Sequence, residues 1–294
     1  MRGALQLCAR FAVAPWPVLI LGEPGTGKSV LAEYIHRLSG RAGELVKRSL
    51  GSHTHELEYD TLAGHVAGSF TGASGERKGL VEAAHLGTLF LDEIALAPPG
   101  VQDLLLELLD DGRLRRLGEN RTRPVNVRFI FATNADLPAA ARENRFRTDL
   151  LDRIGHLRIA LPPLRHRRDE ILPLARHFIS CHARLFGDYS PSLTSESEQC
   201  LLQADWPGNI RGLETAMQYG VLLAHPEQEI TPDHLPPEVQ AALRGALRQP
   251  APTGQQISDA LARARGSKSD AARHLGISRK HLYSLIRKEK ISSA

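Results

Sequence analysis

The sequence is poor in cysteine and has no long apolar run. Its three cysteines, Cys8, Cys181 and Cys200, are widely spaced in the sequence and form no CxxC pair. This spacing argues against a disulfide framework or a zinc site, and it predicts a reducing, cytoplasmic location. No apolar stretch approaches the roughly 18–20 residues that span a bilayer, and the first 17 residues do not resemble a secretory signal. What is present, 294 residues of which 42% are hydrophobic and 24% charged, predicts a globular protein of two or three domains without membrane partners.

Basic residues are concentrated near the C-terminus. Residues 263–290 contain nine basic and two acidic side chains, a net charge of +7, whereas the remaining residues sum to −3. Such a segment is typical of a nucleic-acid binder, although a solvated basic tail would carry the same charge.

Short apolar runs that alternate with helical spacing predict an α/β parallel sheet in residues 1–166. Three runs are predicted as buried strands: Val18–Leu21, Thr88–Leu91 and Val127–Ala132. Two helices are predicted between them: Ser29–Leu38 and Gln102–Asp110.

Strand signals fade after residue 166. We therefore predict a helical lid subdomain over 167–243, a linker over 244–256 and a small all-α domain over 257–294. The lid contains three helical segments: Asp169–Arg184, Thr194–Ala204 and Ile210–Leu223.

A glycine-rich turn between the first strand and the first helix fits GxxxxGK[ST]. Its glycines let backbone N–H groups surround phosphate oxygens, and the following helix directs its positive dipole end at the same anion. Lys28 is expected to reach the β- and γ-phosphates of ATP, and the Ser29 hydroxyl to bind Mg²⁺. The predicted nucleotide-binding residues are Gly22, Glu23, Pro24, Gly25, Thr26, Gly27, Lys28 and Ser29.

Two acids stand at the end of the second predicted strand, where ligands bind in open α/β sheets. Asp92 is expected to hold Mg²⁺ through water, and Glu93 to orient the attacking water. A polar loop would also begin with two acids, but the phosphate loop favours the nucleotide interpretation.

At this point the chain resembles the AAA+ ATPase activators of sigma-54 RNA polymerase. Residues Gly68–Ala73, GSFTGA, are close to that family's GAFTGA motif, which other AAA+ machines lack. The resemblance runs from about Pro17 to Pro237 and rests on further ordered motifs: Gly64-His65, Gly87–Ile94, Ala132–Asn134, Phe146–Arg153, Leu161–Arg165 and Trp206–Arg211. It implies a P-loop NTPase core with a helical lid, followed by a Fis-type helix-turn-helix domain.

The resemblance implies that a surface loop contacts sigma-54 with Phe70 and Thr71 at its tip. The loop residues are Gly68, Ser69, Phe70, Thr71, Gly72 and Ala73. A hairpin whose Phe70 folds back into the core is the alternative.

Four further roles are implied by the resemblance. Asn134 would sense the γ-phosphate, and Arg211 would reach the nucleotide from the lid. Arg147 and Arg153 would act as fingers in a neighbouring subunit's site, where an arginine stays charged and presents a planar fork. Local salt bridges to Asp149, Asp152 and Glu214 are the alternative for these arginines.

The sequence departs from the family at three positions. Ser69 stands where alanine is usual, and Ala63 stands where an aromatic residue precedes Gly64. Ser49 aligns with the asparagine that restrains the catalytic glutamate in the family, so the coupling between Glu93 and the loop is expected to differ.

The C-terminal segment has a helix-turn-helix pattern. Ala271, Leu275 and Ile277 are predicted to face inward, and Gly276 to form the turn. The second helix would enter the major groove, with these residues as predicted DNA contacts: Ser278, Arg279, Lys280, His281, Ser284, Arg287, Lys288 and Lys290. A helical hairpin used for dimerisation has the same pattern.

These observations predict an ATP-hydrolysing, Mg²⁺-dependent activator that binds DNA, assembles into a homo-oligomeric ring, with a hexamer expected, and remodels sigma-54 RNA polymerase. A DNA-binding regulator that only senses nucleotide is the first alternative, and a replication or unfolding AAA+ machine the second. Because the phosphate loop begins at Gly22, we expect no sensing domain before it. Regulation by a protein in trans and trimming of a regulatory domain both remain open.

Overall fold

The computed structural model describes residues 2–69, 75–187, 189–226 and 228–241, together with a few positions between 257 and 272. The chain divides into two compact units, residues 1–235 and 236–294. The core of the first unit contains, in chain order, α1 (Arg2–Ala12), β1 (Val18–Leu21), α2 (Lys28–Leu38), β2 (Leu45–Ser49), α3 (His55–Ala63), β3 (Gly64–His65), β4 (Arg77–Lys78), α4 (Leu80–Ala83), β5 (Thr88–Asp92), α5 (Pro99–Asp111), β6 (Arg113–Arg115), β7 (Thr122–Pro124), β8 (Arg128–Thr133), α6 (Leu137–Arg142), α7 (Thr148–Ile154) and β9 (Leu157–Ala160).

Five parallel strands form the central sheet in the order β2-β5-β8-β1-β9. The predicted strands are confirmed as β1, β5 and β8, which are almost completely buried. Sequence reasoning missed the two edge strands, β2 and β9, because their side chains alternate in burial and form no continuous apolar run. The predicted α/β parallel sheet is therefore correct.

Alternate residues of the central strands face two apolar layers. On β8, Phe129 and Phe131 stack with ring centroids 5.8 Å apart and pack with the helices α3 to α7, whereas Ile130 and Ala132 face α1 and α2. This alternation follows the period of two in a strand. The sheet is thus covered on both faces, which leaves its carboxyl edge for polar residues.

Helix α1 is tied to the sheet by Arg128. This arginine is 3% exposed, and its guanidinium donates to the carbonyl oxygens of Phe11, at 2.5 Å, and Ala12. A buried cation is therefore compensated by the negative end of a helix, where basic groups are favoured. Cys8 is buried in the same layer, and the three cysteines are free thiols.

The lid follows as α8 (Ile171–Ala183), β10 (Ser192–Leu193), α9 (Ser195–Gln203), α10 (Asn209–Ala224) and β11 (Glu229–Ile230). Its three helices agree with the predicted ones to within two residues at each end. None of the helices in the described ranges has the length and apolarity needed to cross a membrane.

The second unit is described at few positions. Its buried apolar residues include Ile257, Leu261 and Ala271, and the last of these was predicted to face inward.

Candidate functional site

The phosphate loop connects β1 to α2 at the carboxyl edge of the sheet. Gly25 and Gly27 have φ values of 76° and 101°, a region that favours glycine. Thr26 is buried and donates its hydroxyl to the Glu23 carbonyl at 2.8 Å. Because α2 begins directly after this turn, its free N–H groups are available for a phosphate.

Lys28 and Glu93 lie close together although β8 separates their strands. The Lys28 ammonium is 3.8 Å from a Glu93 carboxylate oxygen and donates to the Gly22 carbonyl at 3.1 Å. Glu93 has a left-handed conformation with φ 54°, and its N–H donates to the Asp92 carboxylate at 3.0 Å. The Lys28 side chain is 6% exposed and that of Glu93 27%. The loop cation and the acid therefore face one partly closed space.

Asp92, Ser29 and Asn134 complete this edge. Asp92 ends β5, Ser29 lies in the first turn of α2, and the exposed Asn134 follows β8 directly. A hydroxyl and a carboxylate suit Mg²⁺, which usually keeps several waters and binds phosphate oxygens as well. Within the described ranges no group of three or more His, Cys, Asp or Glu side chains could hold a metal ion.

The start of α10 lies against the phosphate loop. A Cβ on Gly25 would be 2.3 Å from the Gly208 carbonyl oxygen and 3.2 Å from the Arg211 Cβ. The Ile210 N–H donates to the Gly25 carbonyl at 2.9 Å. The exposed Arg211 is therefore held beside the loop, and its contact with a nucleotide stays a prediction.

Three residues that sequence reasoning missed join the loop to the region after β9. Arg165 donates to both Glu23 carboxylate oxygens, at 2.6 and 2.9 Å, and the Asn209 amide donates to Glu23 at 3.1 Å and to the Pro24 carbonyl at 3.0 Å. Arg167, 3% exposed, donates to the Thr26 carbonyl at 2.8 Å. The bonds from Arg165 and Asn209 lower the pKa of Glu23 to about 2. The sequence contains no local pattern that links these three residues to the phosphate loop, because more than 130 residues separate them from it.

The two arginines predicted as fingers lie on the α7 segment and are exposed. The Arg147 guanidinium pairs with Asp103 and, at 2.8 Å, with Asp149; Arg153 pairs with Asp110 at 2.9 Å. The local salt bridge between Arg147 and Asp149, which was the alternative to a finger role, is therefore present in the single subunit. Arg153 pairs with Asp110 rather than with the Asp152 of that alternative. The hydrogen bonds to Asp149 raise the pKa of Arg147. The Arg147 and Arg153 side chains are 46% and 59% exposed.

The stem of the predicted sigma-54 loop is the short β3–β4 hairpin. The buried Asp60 of α3 binds both strands, with the His65 Nδ1 at 2.6 Å and an Arg77 nitrogen at 3.2 Å from its two oxygens. Gly68 and Ser69 are described, and a Cβ on Gly118 would lie 2.6 Å from the Ser69 Cβ. The predicted contact residues Phe70, Thr71, Gly72 and Ala73 lie outside the described residues.

A second hairpin, β6–β7, stands beside this stem. Arg116 is fully buried between the two hairpins and pairs with Glu76 and Glu82. The Val66 N–H donates to the Leu117 carbonyl at 3.1 Å. The loop base is therefore fixed by both a charge network and main-chain bonds.

Comparison with known proteins agrees with this architecture. Residues 1–160 match the sigma-54 interaction domain, residues 165–251 the AAA+ ATPase lid domain, and residues 254–288 the bacterial regulatory protein, Fis family. The chain belongs to the sigma-54-dependent transcriptional activators. It has the AAA+ ATPase core and the Fis-type DNA-binding domain of that family.

Individual members of the activator family are similar to the chain in sequence and in structure. The chain is 36% identical to the DNA-binding transcriptional regulator NtrC of Salmonella typhimurium over 96% of its length and 67% of NtrC, and 42% identical to the sigma54-dependent transcriptional activator SfnR of Pseudomonas putida over 70% of its length and 56% of SfnR. The structure of NtrX from Brucella abortus in complex with ATP matches with a TM-score of 0.72 at 27% identity, covering 98% of this chain and 67% of NtrX. The chain thus spans roughly half to two thirds of these proteins' length.

The family comparison gives the departures a place in the structure. Ser49 ends β2 directly beside Asp92 of β5 in the sheet register and is exposed. Ala63, where the resemblance implies an aromatic residue, is fully buried directly before the stem of the loop. Ser49 is thus one strand away from Glu93, with a shorter side chain than the asparagine that the resemblance implies at this position.

The DNA-contact residues predicted for this activator lie outside the described residues. They are Ser278, Arg279, Lys280, His281, Ser284, Arg287, Lys288 and Lys290.

Proposed function

We propose that this activator hydrolyses ATP at the carboxyl edge of its sheet and uses the loop at Gly68–Ala73 to remodel sigma-54 RNA polymerase. The observation that carries the proposal is the convergence of Lys28, Glu93 and the lid on one phosphate loop. Phosphoryl transfer depends mainly on positioning and on neutralising charge, and these groups supply both.

In this mechanism the phosphate loop and Lys28 hold the β- and γ-phosphates. Glu93 orients a water molecule toward the γ-phosphorus and accepts its hydrogen bond. Ser29 and Asp92 would hold Mg²⁺, which supplies charge neutralisation between the phosphates. Asn134 contacts the γ-phosphate, and Arg211 contacts the nucleotide from the lid.

The arginine fingers require a second subunit. Arg147 and Arg153 point to solvent and bind only acids of their own chain, Asp103, Asp149 and Asp110 among the described residues. Their role is to enter the neighbouring site of a ring, which we take to be a hexamer, and to neutralise charge that develops in transfer. A finger of this kind is worth about 10³–10⁵ in rate in other phosphoryl-transfer proteins.

The C-terminal unit of this cytoplasmic protein would bind an enhancer-like DNA site. Its basic segment provides the electrostatic attraction, and the side chains that would contact base edges are Arg279, Lys280, His281 and Ser284. A regulatory protein acting in trans would control assembly.

Open-complex formation tests this function. Purified sigma-54 RNA polymerase and a sigma-54 promoter are mixed with the protein and ATP, with a non-hydrolysable analogue as the control. We expect opening with ATP only. Glu93→Ala should bind ATP and lose hydrolysis by about 10²–10⁴-fold together with opening, whereas Phe70→Ala should hydrolyse ATP without opening.

Two results would contradict the proposal. Normal hydrolysis by Glu93→Ala would remove Glu93 from its role. Hydrolysis without opening by the unmodified chain would favour a regulator that senses nucleotide but does not remodel the polymerase, and Ser49→Asn would then be the first reversion to examine.

A further inference from the structure

Gln102 of α5 is a buried amide that binds three main-chain groups. Its side chain is 2% exposed, and its amide nitrogen donates to the Ala97 carbonyl at 2.8 Å and to the Arg145 carbonyl at 3.2 Å. Its amide oxygen accepts the Arg147 N–H at 2.8 Å. Both polar atoms of the amide are thus used inside the protein, as a buried polar group requires.

The three bound groups belong to two segments with different roles in ATP hydrolysis. Ala97 ends the short helical turn that follows Glu93, since the Ala97 N–H donates to Ile94 at 3.0 Å and the Leu96 N–H donates to Glu93 at 2.9 Å. Arg145 and Arg147 flank Phe146, which is 3% exposed in the core. One side chain therefore connects the turn after the catalytic acid to the main chain that presents a finger.

The guanidinium of Arg147 is held in a different way. It is exposed and binds the carboxylates of Asp103 and Asp149, contacts that water and a competing phosphate can replace. Its main chain, by contrast, is held by a neutral, partly buried hydrogen bond to the Gln102 amide, and that amide is itself 2% exposed. The fixed element of the finger is thus the peptide group bound to Gln102.

We propose that Gln102 is a positioning residue for the Arg147 finger. Its hydrogen bonds connect residues 145–147 to the turn that follows Glu93, and they thereby fix the position of the main chain from which the Arg147 side chain extends. This inference rests on the proposed function, in which Arg147 acts on the site of the neighbouring subunit.

The first experiment is steady-state ATP hydrolysis by Gln102→Met and Gln102→Glu. Methionine keeps the length of the side chain and removes all three hydrogen bonds, whereas glutamate keeps an acceptor for Arg147 but places an oxygen against two carbonyls. We expect kcat to fall on the order of 10–100-fold with KM for ATP unchanged, because an ångström-scale displacement of a catalytic group costs about that much. Leu108→Val, a core change in the same helix, is the control and should leave kcat close to that of the unmodified chain.

Mixed rings separate positioning from a general structural effect. Lys28→Ala subunits cannot hydrolyse ATP but carry intact fingers. When they are mixed with Gln102→Met subunits, some of the latter have a normal finger beside their own intact phosphate loop. We expect the rate per Gln102→Met subunit to rise several-fold, and ring assembly is verified by light scattering.

The same mixture with Arg147→Ala in place of Gln102→Met shows which idea has failed. If Arg147→Ala is rescued and Gln102→Met is not, Gln102 does not position the finger. A kcat of Gln102→Met close to that of the unmodified chain, with Arg147→Ala inactive, also overturns the proposal. If Arg147→Ala itself gains nothing from intact neighbours, the finger does not act between subunits, and the inference falls with the proposed function.

Discussion

The carboxylate of Glu23 lies within the phosphate loop, yet its partners come from residues well beyond the sheet. Arg165 and Asn209 bind its ionised form and thereby lower its pKa from 4.5 to about 2. An acid whose pKa is lowered on folding stabilises the folded state above its ordinary pKa and loses that contribution as the pH falls toward the lowered value. The contribution of Glu23 is therefore complete at neutral pH and disappears between about pH 4.5 and pH 2.

Glu23→Gln should lower the thermal unfolding midpoint at pH 7 by a few degrees, because glutamine cannot offer two charged acceptors to Arg165. The difference from the unmodified chain should shrink as the pH is lowered from 5 to 3. Differential scanning calorimetry of both proteins between pH 7 and pH 3 measures this difference in unfolding midpoint. Glu33→Gln, which removes the exposed partner of Lys47, is the control and should have little effect at any pH. A Glu23→Gln difference that stays constant with pH would show that the ion pair is not its source.

Among the secondary-structure elements, α3 holds the stem of the predicted sigma-54 loop through one buried acid, in addition to the Arg116 network and the main-chain bonds to the second hairpin. Asp60 binds one residue of each strand of the β3–β4 hairpin, His65 and Arg77, which face each other in register. The stem has only two residues per strand, so its main-chain ladder alone is short. The Asp60 side chain is therefore the link by which α3 helps to set the direction in which the loop leaves the subunit.

Asp60→Asn should impair open-complex formation and leave ATP hydrolysis close to that of the unmodified chain. Asparagine keeps the shape of the side chain but loses the charge that Arg77 and His65 bind, while the phosphate loop and Glu93 are untouched. The ratio of promoter opening to ATP hydrolysed, measured in one reaction, checks this. Glu107→Gln, which removes the long 3.8 Å pair with Arg115, is a suitable control. Equal losses of hydrolysis and opening in Asp60→Asn would place Asp60 in the fold rather than in the loop.

The elements that the sequence predicted share one property, which is a strong local pattern. Strands β1, β5 and β8 are continuous apolar runs, and the phosphate loop is a contiguous motif with a strand before it and a helix after it. The edge strands β2 and β9 could not be found in this way, because each buries only part of its side chains. Gln102, Arg165 and Asn209 were missed for a different reason: each binds at least one main-chain or carboxylate group that is more than 40 residues away in the sequence.

Across the whole molecule, chemistry and DNA recognition are divided between two units. Residues 1–235 hold every candidate ATPase residue, whereas the basic segment at 263–290 belongs to the second unit. The first unit presents Arg147 and Arg153 on its surface, where they pair with Asp149 and Asp110. We therefore expect ATPase activity to depend on the association of subunits, and we expect DNA to raise this activity by raising the local concentration of subunits.

Specific ATPase activity should rise with protein concentration and reach a plateau when rings are complete, because in the proposed mechanism each site needs a finger from its neighbour. A DNA fragment with adjacent binding sites should move this curve to lower protein concentration without changing the plateau, since it raises the local concentration of subunits. Added salt should reverse the shift steeply, because the basic segment binds phosphates and releases counterions.

Lys280→Ala should lose part of the shift and keep the plateau, whereas Arg147→Ala should keep DNA binding and lose the plateau. A specific activity that is independent of concentration, with or without DNA, would mean that each subunit completes its own site, and the exposed arginines would then have no part in hydrolysis.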